Sequence, residues 1–561
     1  MKARKAIVLA AGLGTRLRPL TCALPKPLLP VWGVPMLTRV VDVLRGWGVE
    51  EIAVNCHYLA DQVEEWAHGY SAANGITVRT SREETILGTG GALNPLRDWI
   101  GGEEFYLVNG DIVFDGVEGC PFSPFAEGDG AIAQCLVTEV GPRTIEVEPE
   151  SGFVTNWKSD DAGWPGTFTY CGIALLKPEL LKYVEPSGFS SIVQAYERAM
   201  QDGLFVKAVA PDGLVWTDAG TISNYMDVNR DGDENAFEDI PQVARALAAT
   251  AGRGGSDAVE FIGARGSDRV FFRAGGRVIV LHDDSKRAEN ARYAGHARWL
   301  RDAGVPVPEV FSDDHADSTT VFEWAGAERR MSFEEYAKAV EALYVFNTTL
   351  DRFGEPPDGL EPAFGPDLWR WERELFMKHC LGERFTMECP TAVVAELEAV
   401  AARLDPEPVA LVHRDFQSAN ILWKNGSLSI IDFQGMRRGP AVYDLASLLY
   451  DPYASVTPER RRALAALYGK LAGRPGIVDV LPFAAVQRLV QCLGAYGRLA
   501  SVGQPQFGKY VLPALENLLA AADEADLDAV GALAEDLISK EQGRRRHANG
   551  CSCGGHGEGE A

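Results

Sequence analysis

Apolar positions near the start of the chain come in short β-type runs separated by stretches with helical spacing: "KAIVLA", then "MLTRVVDVLRGWG", then "EIAVNCH", then "DQVEEWAHGY". A short continuous apolar run bounded by turn residues fits a buried strand, and apolar residues three and four apart fit one face of a helix. Their alternation predicts right-handed crossovers that build a mostly parallel sheet with helices on both faces. Ligands of such sheets sit at the carboxyl ends of the strands. "FYLVNGDIVF" is another apolar strand, reaching the pair Gly110 and Asp111.

The pattern changes after "TDAGTISNYMDVNR". An acidic segment "DGDENAFED", a helical piece and "TAGRGGSD" place a linker at residues 231–257, closing a first block at 1–230. The second block, 258–541, opens with short β-type runs, "VFFRAGGRVIVLH", and becomes mostly helical after Glu289, giving a small strand-rich lobe followed by a larger helical one. The tail 542–561 is poor in apolar residues and is expected to be disordered. Its His547, Cys551, Cys553 and His556 match no closed zinc spacing.

A length of 561 residues allows three or four compact units in two functional blocks. Hydrophobic residues at 46% and charged residues at 24% are ordinary for a globular chain, and no uninterrupted apolar run looks long enough for a bilayer, so no membrane partner is expected. "MKARKAIVLAAG" imitates a secretory signal, but "GTRLRP" follows at once and a first strand is the better reading. Ten scattered cysteines without scaffold spacing fit a reducing cytoplasm. A net charge of −25 argues against a nucleic-acid partner. Oligomeric state stays open.

In "LAAGLGTRLRPLT" a strand runs into a loop whose Gly12 and Gly14 let backbone N–H groups approach phosphate oxygens. Leu17 stands where a dinucleotide fingerprint has glycine, and no GK[ST] follows, so neither the Rossmann fingerprint nor the P-loop fits. Arg16 follows the loop and Lys26 lies in "PKPLLP". This loop, with "LGTGGAL", "VNGD" and "WTDAGT" in order, resembles the sugar-1-phosphate nucleotidyltransferases over residues 2–229. The resemblance implies a Rossmann-like α/β domain in which Ala11, Gly12, Gly14 and Thr15 hold a nucleotide. Arg16 then meets its outer phosphates and Lys26 the reacting phosphate, while Gly90, Gly91 and Asn109 line the nucleoside or sugar pocket. Attack on an α-phosphorus gathers negative charge, so fixed cations lower the barrier. Asp111 and Asp218 would hold Mg²⁺; a helix cap is the rival role for Asp218.

In "HRDFQSAN" the spacing from Asp415 to Asn420 equals that of the kinase catalytic loop. Asp415 would accept the substrate hydroxyl proton, and Asn420 with Asp432 of "IDFQ" would bind Mg²⁺ on ATP phosphates. This block resembles the aminoglycoside phosphotransferase and choline kinase superfamily, which implies a two-lobed α+β protein-kinase-like domain. "DFQGMRRGPAVYDLASLLYDPY" and "RGSDRVFFRAGGRVIVLHDD" are similar to bacterial anomeric kinases of N-acetylmuramate and N-acetylglucosamine. The stretch "DLWRWERELFMKHCLG" shares that likeness, or is simply an amphipathic helix burying Leu368, Leu375 and Phe376. The third-strand lysine of kinases is missing from "GRVIVLHDD". Either Arg273 or Arg277 substitutes, or the lobe is inactive. Gly266, Ser267 and Asp268 form the candidate phosphate-covering turn.

Together the resemblances imply a bifunctional enzyme. One site phosphorylates an amino sugar at its anomeric hydroxyl with ATP. The other joins the sugar-1-phosphate to a nucleotide, with UTP as the implied donor, on a route of cell-wall recycling. Choline kinase with a cytidylyltransferase, another sugar with GTP, and a regulatory kinase-like module are the alternatives.

Overall fold

The computed structural model describes the whole chain except residues 1–2, 117–118, 127, 160–164, 231–236, 253–257, 266–268, 284, 286–287, 502–503 and 551–561. It divides into two compact units: Met1–Arg287 with Ser312–Val321, and Ala288–Phe311 with Phe322–Ala561.

In the first unit the strands Lys5–Leu9, Glu51–Cys56, Thr77–Arg82 and Phe105–Asn109 are parallel neighbours, and Thr167–Leu176 joins antiparallel beside Phe105–Asn109. Successive side chains of a strand point to opposite faces. Ala6 and Val8 therefore enter one apolar core with the helix residues Leu37, Val40 and Leu44. Ile7 enters the other, with Leu93, Ala195 and Tyr196. Both faces are covered there, which is why Lys5–Leu9 and Phe105–Asn109 read as near-continuous apolar runs, while the strand Thr77–Arg82 stays polar and partly exposed.

The strands Val259–Arg265, Arg269–Ala274 and Arg277–His282 form an antiparallel meander in the same unit, and the strands Val310–Asp314 and Thr319–Glu323, of which residues 312–314 and 319–321 belong to this unit, extend that sheet. Between sheet and meander lies the helix Pro241–Ala249, inside the segment read as a linker. Phe237 packs with Phe261 and Phe272. Gln242 is buried and its Nε2 donates to Leu20 O at 3.0 Å, and Arg18 Nη1 lies 3.5 Å from Asp283 Oδ2 and 3.3 Å from Ser285 Oγ.

The second unit is mostly helical. Its longest helix, Ile477–Ser501, is long and apolar enough by length and composition to cross a membrane, although Asp479, Gln487, Arg488 and Gln491 interrupt its apolar run. Here it is mostly buried among other helices of the unit. A Cβ on Gly494 would lie 2.7 Å from Phe376 N, and one on Gly497 2.4 Å from His379 O, so the glycines permit backbone contact with the π-helical segment Phe376–Arg384. That segment continues the helix Pro366–Leu375, whose buried face is Trp369, Glu372 and Leu375; Leu368 is only partly buried. The last helix, Asp528–Gly550, runs past position 542 into the tail expected to be disordered. Charged residues of its end find partners: Arg545 pairs with Glu541 and Arg544 stacks on Phe385. Cys551, Cys553 and His556 lie outside the described residues.

Candidate active sites

The first strand delivers the chain into the loop Ala10–Gly14, anchored where Ala10 N donates to Asn55 Oδ1 at 2.7 Å. Gly14 has φ 62, and a Cβ there would meet Thr21 Cγ2 at 3.0 Å and Lys26 Cβ at 3.2 Å. The loop thus closes against Lys26 only with glycine at that point. Ala11 is buried, while Gly12 and Thr15 are exposed and Gly12 faces open space.

Lys26 is almost fully buried, and its Nζ lies 2.5 Å from Asp111 Oδ2 and 3.8 Å from Asp218 Oδ1. A buried ammonium is tolerated only when paired, and here the partners are carboxylates that stay partly open to solvent. Antiparallel pairing of Ile112–Asp115 with Val215–Asp218, which sets Asp218 opposite Ile112, brings the two acids together. Arg16, largely exposed, reaches within 3.9 Å of Asp218. Thr221, not Asp218, caps the helix Ile222–Arg230, its Oγ1 accepting from Asn224 N at 3.2 Å. Gly220, not singled out from the sequence, lies close under the site: a Cβ would lie 2.5 Å from Asp218 Oδ1 and 2.7 Å from Arg16 Nη2, so both side-chain ends would have to shift.

Gly90 and Gly91 sit differently from expectation. Both are buried, and both N–H groups donate to Ser190 O, at 2.8 and 3.1 Å, so they serve close packing; Gly88 and Thr89 form the partly open edge. Asn109 ends its strand with its side chain over Gly172, where a Cβ would lie 2.4 Å from Nδ2. Asp111 and Asp218, two hard oxygen donors facing one cation, fit a Mg²⁺ whose shell substrate phosphates would complete. Among the described residues no group of three or more His, Cys, Asp or Glu could hold a metal without such help.

In the second unit the strand Val409–Val412, paired with Arg437–Pro440, leads into His413–Asn420. Arg414 has φ 78, a left-handed conformation that bulky residues adopt only under constraint. The constraint is Asp444, fully buried, which accepts from His413 N at 2.7 Å, Arg414 N at 2.8 Å and Asn347 Nδ2 at 3.2 Å. Burial pushes the Asp444 carboxyl up to about 7 against the pull of these donors. Burial likewise lowers His413, whose Nε2 is 3.0 Å from Ile431 O. Asn420 is buried; its Nδ2 donates to Asp415 O and its carbonyl accepts from Ile431 N, tying the loop to the strand before Asp432. Asp432 has φ 68, receives Gln434 Nε2 at 3.0 Å, and donates its N–H to the hydroxyl of Tyr293, whose ring stacks on Phe433 at 4.4 Å.

Asp415 is 37% exposed and its Oδ1 lies 2.8 Å from Nη2 of Arg488, which is 5% exposed. Arg488 also bonds Gln491 and Gln417. Arg488 and Asp444 went unseen in the sequence, although an isolated charge inside an apolar run such as "QRLVQC" or "VYDLASLLY" signals a buried partner.

Of the two arginines proposed for the missing strand lysine, Arg277 is corrected: it is buried, with Nη1 donating to Thr250 O at 3.1 Å and Oγ1 at 3.2 Å. Arg273 is half-buried with Nε 3.4 Å from Gly275 O. Gly266, Ser267 and Asp268 lie outside the described residues.

Residues 5–145 match the nucleotidyl transferase family model and residues 258–481 that of the phosphotransferase enzyme family, APH. Among curated relatives, probable mannose-1-phosphate guanylyltransferase 3 of Oryza sativa subsp. japonica is 29% identical over 232 residues, which are 40% of this chain and 63% of the relative. Probable mannose-1-phosphate guanylyltransferase 1 of the same plant is 30% identical over 233 residues, with the same coverage. The chain thus spans less than two thirds of the length of these relatives. A glucose-1-phosphate thymidylyltransferase structure from Bacillus anthracis matches 40% of this chain and 94% of its own at 22% identity, with a TM-score of 0.35. The chain therefore joins a nucleotidyl transferase domain to an APH phosphotransferase domain, each from a family of enzymes.

Proposed function

We propose that the chain phosphorylates an N-acetylated amino sugar, N-acetylmuramate or N-acetylglucosamine, at the anomeric hydroxyl, then converts the sugar-1-phosphate into a nucleotide sugar with UTP. The observation that supports this reading is the presence in one chain of two polar sets of different kinds: Asp415 and Asn420, with Asp432 in the neighbouring motif, and Lys26 with Asp111 and Asp218.

In the phosphotransferase unit Arg488 holds one oxygen of Asp415, leaving the other to take the proton of the attacking sugar hydroxyl. Asn420 and Asp432 would hold Mg²⁺ on the ATP phosphates. In the transferase Arg16 and Lys26 stabilise the charge that develops as a sugar-phosphate oxygen attacks the α-phosphorus and pyrophosphate leaves. Asp111 and Asp218 would hold Mg²⁺ there. When bound, the metal neutralises phosphate charge; Lys26 then passes from its carboxylate partners to the reacting phosphate.

Product mass tests the proposal: the protein is incubated with ATP, Mg²⁺, pyrophosphatase and either sugar, with UTP, GTP or CTP supplied separately. A UDP-sugar formed only with UTP is expected. A GDP-sugar would move the reading toward the activity in the relatives' names, and turnover of choline with CTP would replace it.

A further inference from the structure

We propose that Trp371 and Arg414 form the acceptor subsite of the phosphotransferase unit, a platform for an uncharged or anionic pyranose; this rests on the sugar-kinase reading above. The helix Pro366–Leu375 buries Trp369, Glu372 and Leu375, which turns Trp371 outward. Trp371 is 42% exposed, the only exposed tryptophan among the described residues. A single exposed indole means little by itself; what distinguishes Trp371 is its place beside Arg414.

Its position is fixed relative to the chemistry. The Arg414 guanidinium carbon lies 5.8 Å from the centroid of the Trp371 ring, and Arg414 immediately precedes Asp415. Asp444 holds Arg414 N at 2.8 Å, which fixes the backbone from which the guanidinium and the neighbouring Asp415 project. The flat electron-rich face of an indole suits the C–H face of a pyranose, whose polar rim needs donors beside it. Arg414 supplies them: its ion partner Glu372 is 3.9 Å away, and its buried Nε has no hydrogen-bond partner among the described residues.

The same guanidinium decides the charge of the acceptor. Recognition of a quaternary ammonium uses aromatic faces for the cation itself. Here a cation already sits on the ring, and Arg488 stands on Asp415. Glu372, their acidic neighbour, is fully buried, and burial raises it toward the neutral form. Arg488 offsets the charge of Asp415, so the guanidinium of Arg414 is left to offer donors to a neutral or carboxylate-bearing sugar.

The test uses the full chain, with steady-state phosphorylation of N-acetylglucosamine, N-acetylmuramate and choline by wild type, Trp371→Leu and Trp371→Phe, and ATP affinity measured alongside. Trp371→Leu should raise the sugar KM about tenfold with kcat and ATP affinity held, and Trp371→Phe should stay within about threefold of wild type. An unchanged sugar KM in Trp371→Leu, in a wild type that phosphorylates sugars, overturns the platform alone. A wild type that phosphorylates choline, or no pyranose, overturns the sugar-kinase reading and the platform with it. Loss of ATP affinity in Trp371→Leu alongside the raised sugar KM would mark the effect as one of packing and overturn the platform.

Discussion

Both sites rest on a buried cation gripping a half-open carboxylate: Lys26 on Asp111 in the first unit, Arg488 on Asp415 in the second, with the cations 7% and 5% exposed and the acids 32% and 37%. The resemblance stops there. The acids on Lys26 are the proposed metal ligands, so that pair must part when substrate and metal arrive. Arg488 holds an acid that must keep one oxygen in place through the reaction. Lysine, a compact charge on a flexible stem, suits a partner exchange; arginine, a planar fork with several donors, suits a permanent brace. One pair is a stand-in for the substrate complex, the other a part of the machine.

Removing the charges sharpens this contrast most. Lys26→Ala should lower nucleotidyl transfer by about a thousandfold and leave sugar phosphorylation alone, while Asp415→Asn should do the reverse, both read by assaying each half-reaction with its own substrate. A variant that silences both activities would break the comparison. Arg488→Gln should reduce the phosphorylation kcat about a hundredfold with ATP KM unchanged, because the base loses its brace and not its identity. If instead only KM moves, Arg488 is a binding residue. Gly220→Ala should cost nucleotidyl transfer about tenfold to a hundredfold, since the new methyl displaces Asp218 and Arg16.

Stability should separate the partners less. Asp415→Ala strands a buried guanidinium and should destabilise by about 2 kcal/mol in chemical denaturation, more than Arg488→Gln, which leaves its acid open to water. The remaining effect is one of pH and concerns Asp444. Its folded-state value near 7 lies above that of an unfolded carboxyl, so the stability it adds is full below about pH 4 and is lost as pH rises through about 7. The difference in unfolding midpoint between wild type and Asp444→Asn should therefore drift across that window and flatten above it.

The sequence revealed what is encoded locally. Strand alternation set the two cores, and Gly14, Arg16, Lys26, Asp415, Asn420 and Asp432 lie within short motifs whose spacing carries chemistry. Residues that act through tertiary approach stayed hidden. Arg488 comes from a helix far downstream, and Gly220 matters because the side chain of Arg16, some two hundred residues earlier, meets that of the nearby Asp218 beside it. Gly90 and Gly91 mislead in the opposite direction: a glycine-rich stretch that looks made for a ligand is occupied by a neighbouring carbonyl, that of Ser190. The π-helical turn at Phe376–Arg384 was invisible because nothing in its composition distinguishes it from the α-helix it continues.

The clasp of Gln242 on Leu20 and of Arg18 on Asp283 bears on how such a fusion can be taken apart. A gene cut after Arg230, where the transferase motifs end, would release a catalytic loop stripped of both fastenings. The compact unit runs on to Arg287 and takes in Ser312–Val321 as well, well inside the stretch that matches the phosphotransferase family from residue 258. Inheritance and mechanics draw their borders in different places here, and swapping either half between relatives should succeed only when the meander travels with the transferase.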